Sequence, residues 1–149
     1  MSVSAEDRFG VHDLFMDYVQ AADTGELEGY VATFAKDARL VDSDGGVHHG
    51  EAAIRAYAIK FLSQPGGRGR IHFFQQMRLK PEGAGIRVFS FWQVTQANAA
   101  TREARVRSVG TCDDLCIRID GQWRFAERRI GRWNDATAPW NFAPPSTRE

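Results

Sequence analysis

From Arg70 onward the chain leaves helical spacing and becomes a series of long alternating segments, and this switch limits what it can fold into. "RIHFFQQMRLK", "AGIRVFSFWQVTQA", "ARVRSVGTCDDLCIRID" and "QWRFAERRIGRW" each read as a strand. Their separators are "PEGAG", "NAATRE" and Asp120-Gly121. The last is a strong two-residue hairpin signal, because both residues tolerate positive φ. Four strands in succession with no helix between them predict an antiparallel meander.

The residues before this series repeat differently. Phe9, Val11, Leu14, Phe15, Tyr18, Val19 and Ala22 recur at helical spacing from Ala5 to about Ala22. After a corner at "ADTG", Leu27, Tyr30, Val31 and Phe34 share one face of a second helix. "ARLVDSDGGVHHG" reads as a short hairpin around Asp44-Gly45-Gly46. "EAAIRAYAIKFLSQ" is a third amphipathic helix, closed by Pro65-Gly66-Gly67. Three helices followed by a curved, mainly antiparallel sheet make an α+β plan. A sheet wrapped around helices leaves a cone, and its open end is where a small-molecule pocket is expected. The 149 residues are expected to form one domain, with about 135–149 as a tail whose Trp140 and Phe142 pin it to the body or close the cone.

Lys+Arg and Asp+Glu both total 19, so the chain lacks the basic surplus of a nucleic-acid or anionic-membrane binder. No apolar run approaches a membrane span, and "MSVSAEDRFG" does not resemble a signal peptide, so a cytoplasmic location is expected. Cys112 and Cys116 share a strand face about 13 Å apart, too far for a disulfide. Without a second pair they do not suggest zinc, and they read as small buried hydrophobes.

No nucleophile elbow, phosphate loop or dinucleotide fingerprint is present, so any chemistry must come from scattered polar groups that converge in the cone. Asp23, three residues before Glu26, fits a helix cap worth about 1 kcal/mol. Equally, it can meet a histidine inside the cone. His72 reads as a core residue, an edge residue or a base. His48 and His49 read as a solvated loop, and most strand arginines as outward-facing. Were Asp23 and His72 to meet, the carboxylate would fix the imidazole tautomer and leave the other nitrogen to take a proton.

The order "DYVQAADTGELEGYVATFAKDARL", "VHHGEAAIRAY", "RIHFFQQMRL" and "CIRIDGQWRFAERRI" resembles the SnoaL-like branch of the nuclear transport factor 2-like superfamily over nearly the whole chain. Its members include scytalone dehydratase, bile-acid dehydratase, hexachlorocyclohexane dehydrochlorinase and polyketide cyclases. The resemblance implies a cystatin-like cone and places the catalytic Asp at Asp23 and the catalytic His at His72. It places a pocket residue at Tyr18 and an arginine at Arg128, with Arg129 the alternative. "NFAPP" is similar to the dehydrochlorinase tail, which puts the pocket-closing aromatic at Phe142.

The segment "SFWQVTQAN" departs from both dehydratases, which carry a second histidine or an acid there. Gln93, Thr95, Gln96 and Asn98 are poor proton donors, which leans toward a leaving group that departs unaided or with help from Arg128 or Tyr18. Phe89 and Phe91 on one strand face imply an apolar, ring-sized substrate, and parity then points Gln93 inward with them. The resemblance implies a lyase that needs neither cofactor nor metal. Isomerisation, cyclisation or plain small-molecule binding are the alternatives. A homo-oligomer is expected because the outer sheet face with Trp92 and Val94 wants cover, and the resemblance to the dehydrochlorinase implies a trimer before a dimer.

Overall fold

The structure is a computed structural model and describes residues 2–137. The tail aromatics Trp140 and Phe142 therefore lie outside the described residues. Helix α1 (Ala5–Thr24) starts where the Ser4 side chain accepts the Asp7 amide and stops at Gly25, whose φ of 80° lets its N–H reach the Ala21 carbonyl. Its buried stripe includes Val11, Leu14, Phe15 and Tyr18, as the spacing predicts.

Helix α2 (Leu27–Ala32) is shorter than its pattern suggests. Phe34 opens strand β1 (Phe34–Val41) instead of closing the helix. The cause is local. The Thr33 hydroxyl donates to the Tyr30 carbonyl at 2.7 Å, and the Thr33 carbonyl accepts the Phe125 amide at 2.9 Å. That second bond draws the chain into the sheet. Strand β2 (Val47–His49) completes the early hairpin, with Gly45 at φ 87° in its turn. Helix α3 (Glu51–Leu62) follows, and a single 3-10 turn at Pro65–Gly67 ends it.

The meander is β3 (Arg70–Glu82), β4 (Gly85–Ala97), β5 (Ala104–Ile119) and β6 (Gln122–Arg132). The six strands lie in the order β2-β1-β6-β5-β4-β3, all antiparallel except β1 against β6. The fold is therefore the expected α+β arrangement, three helices packed in a curved mixed sheet. Asp120 and Gly121 make the predicted turn, both at positive φ. Four register shifts interrupt the ladders, and two of them lie beside the concave face. One lies in β3 between Gln75 and Arg78, with Gln76 at φ 52°. The other lies where Val94 pairs Ser108 but Thr95 pairs Val106, leaving Arg107 as the extra residue.

The face of β4 that meets the helices is opposite to the one expected. Ile86, Val88, Ser90, Trp92 and Val94 are buried, whereas Phe89 is exposed and Phe91 packs at 5.2 Å against Trp133 on the outside. Gln93 is on the outer side as well, bonded to Thr95 at 3.2 Å. Alternation groups these residues correctly, but the helices decide which group is covered. Trp92 lies flat across β5 because position 110 is glycine, where a Cβ would overlap the indole. Its Nε1 donates to the Thr111 carbonyl at 3.1 Å.

Deep in the core, Arg128 and Asp114 are both fully buried, with Nη1 3.4 Å from Oδ2. Four rings surround the guanidinium at 4.1–5.1 Å, from Tyr18, Phe125, Phe74 and Phe15. Nη2 approaches the Cys112 sulfur at 3.5 Å. Burial lifts the Asp114 carboxyl to about 7, while Arg128 pulls it back. Cys112 and Cys116 are free and buried, as expected. Asp114→Ala leaves the cation uncompensated and should cost about 3–5 kcal/mol in urea unfolding. A double replacement, Asp114→Leu with Arg128→Met, should recover most of that loss.

Candidate active site

Asp23 stands in the last turn of α1, and its side chain turns away from the second helix toward β3. One carboxylate oxygen accepts the His72 backbone N–H at 2.7 Å, and the other lies 2.5 Å from His72 Nδ1. These two bonds replace the capping role. Helix α2 has no side-chain cap, and the corner rests on Gly25 and on the Thr24 hydroxyl, which bonds Glu26 at 3.1 Å. With Nδ1–H donated to Asp23, His72 Nε2 keeps the lone pair. The pair is nearly buried, 14% and 15% of the side chains exposed, so the bond has little competition from water.

His72 lines a cavity of about 560 Å³. Tyr57 and Phe61, one turn apart on α3, stack at 5.8 Å and form one wall. Phe74, Trp92, Val94 and Ile130 from the sheet face into the same space. The α3 rings link two histidines. His48 lies 4.5 Å from Tyr57, and His72 lies 6.3 Å from Phe61. The cavity is thus a slot with aromatic walls and a polar group at each end.

At the His48 end, Nε2 bonds the Asp42 carboxylate at 2.8 Å, and Asp44 pairs with Arg132 at 2.6 Å. Burial alone would lift the Asp42 carboxyl. His48 and the amides of Gly46 and Asp44 outweigh it and hold that carboxyl below its ordinary range. At the His72 end are Arg70, whose guanidinium lies 4.1 Å over the Phe61 ring, and Arg107. A larger, shallower hollow of about 770 Å³ between α1, α2 and the β5–β6 turn contains no histidine.

Of the residues expected in the site, His72 and Tyr18 line the cavity, and Asp23 stands behind His72, bonded to it. The Tyr18 hydroxyl is shared with Tyr30 at 3.1 Å, and burial raises its pKa. Arg128, and not the exposed Arg129, points inward. Yet Arg128 stays beneath the Tyr18 ring and does not reach the cavity wall, because four rings and Asp114 enclose it. Phe89, Phe91 and Gln93 are on the far side of the sheet. Phe142 lies outside the described residues.

His48, Arg70, Arg107 and Trp92 were not foreseen here. Arg70 had a signal, since it shares a strand face with His72 two residues on. Arg107 had none, because only the register shift places it. Among the described residues no group of three or more His, Cys, Asp or Glu side chains is placed to hold a metal ion. No helix among them is long and apolar enough to cross a membrane.

A family model described as a SnoaL-like domain matches residues 3–129. No curated protein matches the chain by sequence. Solved structures do. A protein of unknown function with a cystatin-like fold from Nostoc punctiforme is 21% identical, with a TM-score of 0.78 over 91% of this chain and 97% of its own. Aln2 from a Streptomyces species is 23% identical, with a TM-score of 0.80 over 89% and 94%. A Novosphingobium aromaticivorans protein, provisionally assigned as a scytalone dehydratase, is 18% identical, with a TM-score of 0.73 over 86% and 85%.

The Asp42 geometry predicts a pH effect. Its folded pKa lies below the unfolded value of about 3.9. Its contribution to stability is therefore complete above that value and lost as pH falls through the depressed one. Asp42→Asn should reduce the steepness of acid unfolding below about pH 4, followed by circular dichroism.

Proposed function

The chain belongs to the SnoaL-like domain family, and from that premise we propose that it is a cofactor-independent lyase. Its substrate is a small molecule with an apolar or aromatic ring. The supporting observation is the Asp23–His72 pair, held by two hydrogen bonds at the wall of an aromatic slot. The family includes dehydratases and polyketide cyclases, and the Novosphingobium aromaticivorans neighbour's assignment points the same way.

In this reading His72 Nε2 removes a proton from a substrate carbon. The electron pair of the broken C–H bond forms the new double bond, and the leaving group departs from the adjacent carbon as hydroxide or halide. Asp23 holds the imidazole in register and stabilises the imidazolium. Tyr57, Phe61 and Trp92 confine the ring and exclude water. Tyr18 forms part of the floor. Arg128 acts only as a fixed positive charge beneath that floor, since it does not touch the substrate.

A panel of ring substrates with a hydroxyl or halide β to an acidic C–H tests the reaction. Mass spectrometry should show a product lighter by water or hydrogen halide. His72→Ala should lower turnover about 10²–10⁴-fold while preserving the fold. Wild-type turnover in that variant would end the proposal. In ordinary water, a product of unchanged mass would move the assignment to isomerisation or cyclisation.

The partner is a second copy of the chain, in this proposal, and not a nucleic acid. Trp92 and Val94 point inward, so the surface that wants cover is a different one. Ile71, Phe73, Phe89, Val106 and Val109 are 40–56% exposed on the outer sheet face. Light scattering should show an oligomer, a trimer on the family resemblance. Phe73→Glu with Val109→Glu should shift it to monomer, and an unchanged mass would exclude this face.

A further inference from the structure

Among the described residues, Arg70 is a buried cation with no hydrogen-bonded acid beside it. It is 8% exposed and opens β3 on the concave face, on the same side as His72. Its Nε has no hydrogen-bond partner, and among the described residues its guanidinium pairs with no carboxylate. Asp23 is near enough to act on it through space, but both Asp23 oxygens are bonded to His72. The Phe61 ring covers one side of the guanidinium at 4.1 Å. On another side the backbone of Gly67 packs so closely that a Cβ there would lie 3.3 Å from Nη2.

Arg107 adds a second positive charge at the same end. Its Nη1 donates to the Gly66 carbonyl at 2.7 Å and to the Gln96 amide oxygen at 2.9 Å. Both acceptors are neutral, the side chain is open to solvent, and the two arginines repel each other. The exposed Lys60 borders the same cavity. The acids on the cavity wall are at the other end and are already taken, Asp42 by His48 and Asp44 by Arg132.

A buried guanidinium that makes no hydrogen bond to a counter-ion is costly to keep. Proteins keep such a cation where a ligand oxyanion supplies the missing hydrogen bonds. We propose that Arg70, with Arg107 beside it, binds an anionic oxygen group of the substrate, above all a carboxylate, next to the reacting carbon. The inference rests on the lyase reading for its choice of substrate class, but its geometry stands without it. Arg128, which the family resemblance offers as help for the leaving group, does not reach the cavity and cannot hold this anion. The flat fork of a guanidinium also suits a carboxylate better than a point charge does. The anion then positions the ring between Tyr57, Phe61 and Trp92, with a C–H within reach of His72.

The test is titration calorimetry at pH 7 with two probes of one shape, 2-naphthoate and 2-naphthamide. Wild-type protein should bind the naphthoate at least tenfold more tightly. Arg70→Gln should reduce that preference to about twofold or less, chiefly by weakening the naphthoate. Arg70→Lys should keep part of it. Equal affinities in the wild type would overturn the inference, and that comparison needs no variant to fold. A full preference surviving in a folded Arg70→Gln would overturn it too, passing the role to Arg107 or Lys60. The experiment separates this inference from the lyase reading. His72→Ala with undiminished turnover ends the lyase while the naphthoate preference stands, and a missing preference leaves a His72-dependent lyase intact.

Discussion

The buried pair of Arg128 and Asp114 is the constraint around which the interior is arranged. A guanidinium with no access to water requires a counter-charge and polarisable neighbours. The fold supplies Asp114 from the adjacent strand and four aromatic faces from three further places: Phe15 and Tyr18 on α1, Phe74 on β3, and Phe125 on β6 itself. Each ring can reach the cation only if α1 lies across the sheet at one depth and Phe74 keeps the inward parity of Arg70 and His72. The pair therefore fixes the seating of the helix whose last turn presents Asp23.

That seating carries through to the site. Tyr18 has Arg128 under one face and the cavity beside it, so the floor of the slot cannot tilt without disturbing the core. Asp23 is one helical turn and a little more beyond Tyr18 and reaches β3 at its second inward residue. The carboxylate grips both the backbone and the ring of His72, so strand position and imidazole orientation are set together. A single side chain thus couples the helix end to the base, which suits a site whose groups need to be held to within about 0.5 Å.

The slot has two kinds of polar end. At one, His48 and Asp42 satisfy each other, and Arg132 and Asp44 do the same. At the other, the arginines outnumber their counter-charges. An apolar channel between a compensated end and a cationic end orients a ligand by charge before any chemistry occurs. The stacked rings on α3 set the distance between the ends, because Tyr57 and Phe61 are spaced by a turn of helix and cannot move independently.

Much of this was legible in the residues. Spacing marked α1, α3 and all four long strands, and Asp120-Gly121 marked its own turn. The pairing of Asp23 with His72 was visible through the family resemblance, since neither residue is distinctive alone. What the sequence could not disclose was the sense of the sheet. Period-two alternation says that Phe89, Phe91 and Gln93 share a face, and says nothing about which face the helices cover. The same limit moved Trp92 into the cavity and left Arg128 below it. Arg107 reached the slot only through a one-residue shift between β4 and β5, and His48 only through a turn that brings it back to Asp42. Local pattern determined the elements and their order, because periodicity and turn chemistry are properties of neighbours in the chain. Tertiary packing decided the concave face, the depth of Arg128 and the open charge on Arg70, because each depends on a partner far away in sequence.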